Sequence, residues 1–297
     1  MTQPRSWTRA IDTLAMAGSA TPARPDIALF DIALFDIGAN LTDRQFSSDL
    51  PQTLQRARAA GVTHIVVTGT DLSNSHAAVQ LSAGDPQLLS CCVGVHPHYA
   101  AQVPEDFCTQ LRQLVAMTPG VRAIGETGLD FNRDLSPRPV QQRVFEAQLE
   151  LAAQLQLPVF VHDRDSQGHV AAILARYRHA LTDVVVHCFT GDADTLDALL
   201  ALDCHIGITG WVCDERRGND LAALVPRIPT ERLLIETDAP YLLPRSLQLR
   251  PRPRRNEPAF LGEVAQRIAI LRECSLADVA AQTTANARRF FRLPVPD

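Results

Sequence analysis

The chain has no lysine at all: every one of its 28 basic residues is arginine. That absence removes a P-loop lysine, Schiff-base chemistry and a carboxylated lysine bridging two metals. Any bridge between two ions would have to be a carboxylate. Also missing is a CxxC pair: the seven cysteines are scattered and odd in number, as expected of reduced thiols in a cytoplasmic protein. Cys188, Cys204 and Cys213 lack a positioned base and read as core. No run of about 18 apolar residues occurs, so no membrane span is expected. A positive charge balance is absent too. The net charge of −5 argues against a globally basic nucleic-acid binder, though not against a basic patch at a catalytic mouth.

What is present is length and apolar content. The 297 residues, 46% of them hydrophobic, suffice for one large domain, and α/β barrels use about 250 residues as a single unit. Short apolar runs recur at Ala33 to Gly38, His64 to Gly69, Leu89 to Val95 and Val121 to Gly125. Four more follow at Pro158 to Val161, Val184 to Val186, His205 to Ile208 and Leu233 to Ile235. Between them, "LPQTLQRARAA", "QQRVFEAQLELAAQLQ" and "DADTLDALLALD" fit a helical period. Ser275, with Asp278 three positions on, makes a good start for a last helix. Eight such units predict a single (βα)8 TIM barrel over residues 31–297, with a doubly wound sheet as the alternative.

The pentapeptide DIALF is written twice before a third DI, in "PDIALFDIALFDIGAN". The second copy runs on into "DIGANLTD" and is expected to be the first strand. Residues 1–30, with the first copy, read as an N-terminal extension, disordered or the product of a start codon placed too early. A cleaved signal peptide fits poorly because Asp12 interrupts the apolar stretch.

Enzymes on this barrel put reacting groups at the C-terminal ends of strands. Those ends carry Asp36, then His96 and His98, then Glu126, His162, His187 and Asp238. Imidazoles and carboxylates are ligands for divalent cations. One histidine beside a strand is ordinarily a structural hydrogen-bonding group. Six of eight strands ending this way points to a metal-dependent hydrolase.

"DIGANLTDRQF", "GVHPH", "IGETGLDFNRD", "VHDRD", "HCFTG", "IGITGWVCDERRG", "IETDAPYLLPR" and "RRNEPAFL" resemble, in order, the motifs of the TatD family of metal-dependent deoxyribonucleases, in the amidohydrolase superfamily. The resemblance runs from about Phe35 to Leu293. It implies a TIM barrel using Mg²⁺, with Mn²⁺ or Zn²⁺ as other choices and one or two ions bound. It also implies 3′-to-5′ hydrolysis of single-stranded DNA or RNA, in DNA repair or turnover, without a membrane or a deducible protein partner. Glu126, His162, His187 and Asp238 fall on the family's metal ligands. Where most relatives carry Asp-x-His-x-His, this chain reads Asp36-Ile37-Gly38-Ala39-Asn40. Two readings of Asp36 stay open: with Asn40 it opens a weakened second metal site, or it caps the first βα loop.

On this reading Asp238 or Glu126 serves as general base, and Glu126 is the bridge if two ions bind. His96, His98 and Glu236 are expected to orient the ligands from behind. Arg133, Arg164, Arg245, Arg254 and Arg255 are expected to hold phosphate, with Arg216 and Arg217 in similar loops. Tyr99, Phe131, Trp211 and Tyr241 could stack on bases or fill the rim. Two other functions remain open: hydrolysis of a small amide or ester, which the missing histidines and lysine disfavour, and a binding role around a vestigial site.

Overall fold

A computed structural model describes residues 32–248, 251 and 253–294. The extension and the first DIALF copy lie outside the described residues.

Eight parallel strands form one sheet in sequence order. They are β1 (Leu34–Ala39), β2 (Val62–Val67), β3 (Leu89–Val93), β4 (Val121–Asp130), β5 (Val159–Arg164), β6 (Val184–His187), β7 (His205–Ile208) and β8 (Leu233–Ile235). Helices α1 (Leu50–Ala59) to α6 (Ala193–Ala201) alternate with them, and α7 (Asn219–Leu224), α8 (Leu261–Leu271) and α9 (Leu276–Phe290) complete the outer layer. The strands are buried on both faces, which accounts for their unbroken apolar character. Between β8 and β1 the ring closes at its upper end only. There Asp238 N donates to Gly38 O at 2.9 Å and Asn40 N to Ala239 O at 2.7 Å.

One apolar layer lies between strands and helices. A second fills the barrel with Phe35, Ile37, Val66, Phe160, Val185 and Leu234. The end of α9 plugs the bottom of the barrel, where Phe291 stacks on Phe35 with ring centroids 5.9 Å apart. The capping box expected of Ser275 and Asp278 starts that helix.

β4 and β5 run further than the apolar pattern suggests. The fourth apolar run is expected to end at Gly125, yet Thr127 pairs with Val161, Gly128 with His162 and Asp130 with Arg164. Both glycines are needed for close approach. A Cβ on Gly125 (φ +142°) would sit 2.3 Å from the Phe160 carbonyl oxygen, and one on Gly128 (φ +144°) 1.9 Å from that of His162. The strand extension carries Glu126 and Asp130 up to the mouth on one face, since residues two apart share a side.

Candidate active site

Glu126 lies at the centre. Its Oε1 is 2.7 Å from His187 Nε2, 2.9 Å from His162 Nδ1 and 3.3 Å from His96 Nε2. Strands β4, β5, β6 and the loop after β3 therefore meet on one oxygen. Donor atoms of His96, Glu126 and His162 lie within 4.8 Å of one another. His96, expected only to orient a ligand, thus enters the cluster itself. His98 stands outside it, its Nε2 2.6 Å from Asp130 Oδ2.

Asp130 is the residue the sequence reading missed. Its Oδ1 accepts from the backbone N–H of Asn132 and Arg133, and its Oδ2 lies 3.6 Å from His162 Nε2. That nitrogen is buried without a hydrogen-bond partner. The signal was the four-residue spacing from Glu126, which on a strand puts both carboxylates on one face. It was hidden because the apolar run ends at Gly125, five positions before it.

The charges are strongly coupled. Burial alone would raise the Glu126 carboxyl, but the His187 and His96 rings and the hydrogen bond from His162 take it well below the ordinary range. Burial opposes charge on the imidazoles as well. His187 is nevertheless held well above its usual value by Glu126 and Glu236, and His162 is raised by Asp130 and Glu126. His96, where desolvation wins, falls to about 4. Without an ion, protons on His162 and His187 supply the positive charge that Glu126 and Asp130 demand. A buried, partnerless imidazole nitrogen beside such carboxylates fits a divalent cation.

Glu236 is fully buried. It accepts from Cys188 N at 2.6 Å and lies 3.3 Å from His187 Nδ1, so it fixes the ring whose other nitrogen meets Glu126. The same carboxylate fills the space in front of Gly38, where a Cβ would be 2.6 Å from Glu236 Oε2 and 2.9 Å from Phe160 Cζ. Desolvation raises the Cys188 thiol well above its usual range, in keeping with an inert role.

Asp36 Oδ1 accepts from Thr237 N at 2.9 Å and Gly38 N at 3.3 Å, and its Oδ2 accepts from Thr237 Oγ1 at 2.5 Å. Both oxygens are engaged by the protein, and through them Asp36 ties β1 to the end of β8. Asn40 turns its amide inward, and Nδ2 donates to Asp238 Oδ1 at 3.0 Å. Desolvation raises the Asp238 carboxyl to about 8 in the metal-free site.

The arginines divide. Arg255 pairs with both oxygens of Asp49, at 2.7 and 2.8 Å, and lies over the Phe46 ring. It clamps the β1 and β8 loops together. Arg245 lies 3.5 Å from Asp214. Arg133 and Arg254 are exposed at the mouth, and Arg164 is partly buried. Of the aromatics, Tyr99 and Tyr241 are exposed while Phe131 is buried in the rim.

A nearly closed ring of parallel strands with imidazoles and carboxylates gathered at their C-terminal ends defines a metal-dependent hydrolase. The family model described as TatD related DNase matches residues 35–292, and the chain belongs to that family. It is 51% identical over 260 residues to a 3′-5′ ssDNA/RNA exonuclease TatD of Yersinia pseudotuberculosis, and 49% identical to that of Pantoea vagans. Each alignment covers 88% of this chain and all of the relative. Among solved structures, the TatD homologue YJJV of Escherichia coli K12 superposes with a TM-score of 0.80 at 29% identity, over 88% of this chain and 98% of that one. A TatD family hydrolase of Entamoeba histolytica gives 0.79 at 26%, over 87% and 98%. The chain is accordingly a hydrolase of phosphodiester bonds. No helix among the described residues is long and apolar enough to cross a membrane.

Proposed function

We propose that this protein is a 3′-to-5′ exonuclease on single-stranded DNA and RNA, with Mg²⁺ as its ion, serving DNA repair or turnover in the cytoplasm. The observation that carries the reading is identity of about one half, over their whole length, to relatives named for that activity. Glu126, His162, His187 and Asp238 are the proposed ligands, joined by His96 on the strength of its place beside Glu126. A divalent ion held there would polarise a non-bridging phosphate oxygen and lower the pKa of a bound water.

The remaining roles belong to the chain. Glu236 holds the His187 ring in place from its far nitrogen. Asp238 keeps one oxygen on Asn40, and we assign the other to take the proton of the attacking water. Arg133 and Arg254 steer the sugar–phosphate backbone without reading sequence.

A time course on 3′-labelled and 5′-labelled single-stranded oligonucleotides, with Mg²⁺, Mn²⁺ or EDTA, tests the reading. Metal-dependent loss of the 3′ label before the 5′-labelled strand shortens fully is expected. Internal cuts, or early loss of the 5′ label, would overturn the polarity. Undiminished cleavage in EDTA would overturn the metal dependence.

A further inference from the structure

Arg164 ends β5, two residues after His162, so the two side chains share a face. Two residues of strand advance about 6.6 Å, which sets Arg164 one step further out along the mouth than His162. Its Nη1 donates to Thr190 Oγ1 at 2.7 Å, and its guanidinium lies over the Trp211 ring, 5.5 Å from the centroid. Thr190 follows β6 and Trp211 follows β7. Three successive strand ends thus fix one guanidinium.

This arginine is partly buried, unlike the exposed Arg133 and Arg254, yet lacks a counter-ion among the described residues. Arg255 pairs with Asp49 and Arg245 with Asp214, whereas Arg164 makes no ion pair among the described residues. Nearby acids are engaged elsewhere. Asp130 faces His98 and His162, Asp165 accepts from Asn132 Nδ2, and Asp163 accepts from Ser166 N. A guanidinium carries five N–H donors, and here a neutral hydroxyl takes one. Partial burial of a cation without an anion is costly unless the anion arrives from outside.

We infer that Arg164, held by Thr190 and Trp211, forms a subsite for the non-reacting phosphate next to the scissile one. The inference rests on the exonuclease reading. For a strand shortened from its 3′ end, this is the phosphate on the 5′ side of the penultimate nucleotide. The guanidinium fork pairs with two phosphate oxygens whatever the base. Stacking on indole presets its plane, which a lysine ammonium cannot copy.

Two dinucleotides isolate the contact. TpT carries only the scissile phosphate; pTpT adds one where Arg164 would meet it. The wild type is expected to favour pTpT about tenfold in kcat/KM, chiefly through KM. Arg164→Ala should bring pTpT down to the level of TpT and leave TpT within about twofold, with Arg164→Lys restoring only part. Arg255→Ala should lower Tm and keep the preference. Equal losses on both dinucleotides in Arg164→Ala, or a surviving preference, would overturn the subsite. A second readout needs no turnover: in EDTA, Arg164→Ala should reduce the log–log salt slope for binding a dT oligomer by about 0.7. An unchanged slope also overturns it. If the wild type cleaves neither dinucleotide nor the labelled oligonucleotides, the exonuclease reading fails instead.

Discussion

Across the mouth of the barrel, the carboxylates of β4 keep different company from those of β1 and of the loop after β8. Glu126 Oε1 meets three imidazoles and Asp130 Oδ2 meets two, while Asp130 Oδ1 takes two backbone N–H groups; His162 Nε2 has no hydrogen-bond partner. Asp36 and Asp238 are met by backbone N–H, a hydroxyl and an amide. Around them Arg255 with Asp49 and Arg56 with Glu257 stitch the β1 and β8 loops together. Asp36, with both oxygens on neutral donors, acts as scaffold, whereas Asp238 gives only one oxygen to Asn40. A cluster whose charges are balanced only by its own protons is where a cation can replace those protons. Both sides carry carboxylates, so residue type alone does not distinguish them; their partners do.

The largest expected effect breaks the β4 side. Glu126→Ala removes the oxygen on which three imidazoles converge. Calorimetry should show loss of Mn²⁺ binding, and cleavage should fall about a thousandfold, the several kcal/mol an ion supplies to such a reaction. In the wild type, Mn²⁺ affinity should weaken as pH falls. His162 and His187 hold their protons above the ordinary imidazole range, and the ion must displace them. Full Mg²⁺-dependent cleavage by the variant would move the centre elsewhere.

A smaller effect is expected across the mouth. Asn40→Ala deletes the hydrogen bond to Asp238, worth about 1 to 1.5 kcal/mol, so kcat should drop about tenfold. The number of Mn²⁺ ions bound, counted by calorimetry, should not change. A loss of one ion with the variant would instead make Asn40 a ligand and restore the second-site reading of the Gly38–Asn40 stretch.

The barrel was legible because parallel strands buried on both faces leave unbroken apolar runs, and each run here became a strand. The cluster was legible where a polar side chain follows directly on such a run, as Glu126, His162 and His187 do. Asp130 was not, because the apolar run ends at Gly125, while β4 continues through two glycines that let it pass close to β5. Arg254 and Arg255 are adjacent and chemically identical, yet one is exposed and the other is locked on Asp49. That difference depends on α1, some 200 positions earlier, and no local pattern encodes it. The role of Asp36 was undecidable for the same reason: its partner, Thr237, sits at the other end of the barrel sequence.

The smallest effect tests that last residue. Desolvation pushes the Asp36 carboxyl up from 3.8 to about 7, against the hydrogen bonds from Thr237 and Gly38 that favour the anion. In the folded protein the group keeps its proton through a window in which the unfolded chain has lost it. Its contribution to stability is therefore full below about 4 and declines as pH rises towards about 7, where it levels off. Asp36→Asn stays neutral throughout: its oxygen can accept from the same backbone N–H groups, and its amide can donate to the Thr237 hydroxyl. Melting curves recorded from pH 4 to 8 should show the variant gaining on the wild type as pH rises, with Mn²⁺ affinity unchanged. Parallel curves would remove the buried-proton account. Weakened Mn²⁺ binding would return Asp36 to the ligand side of the comparison.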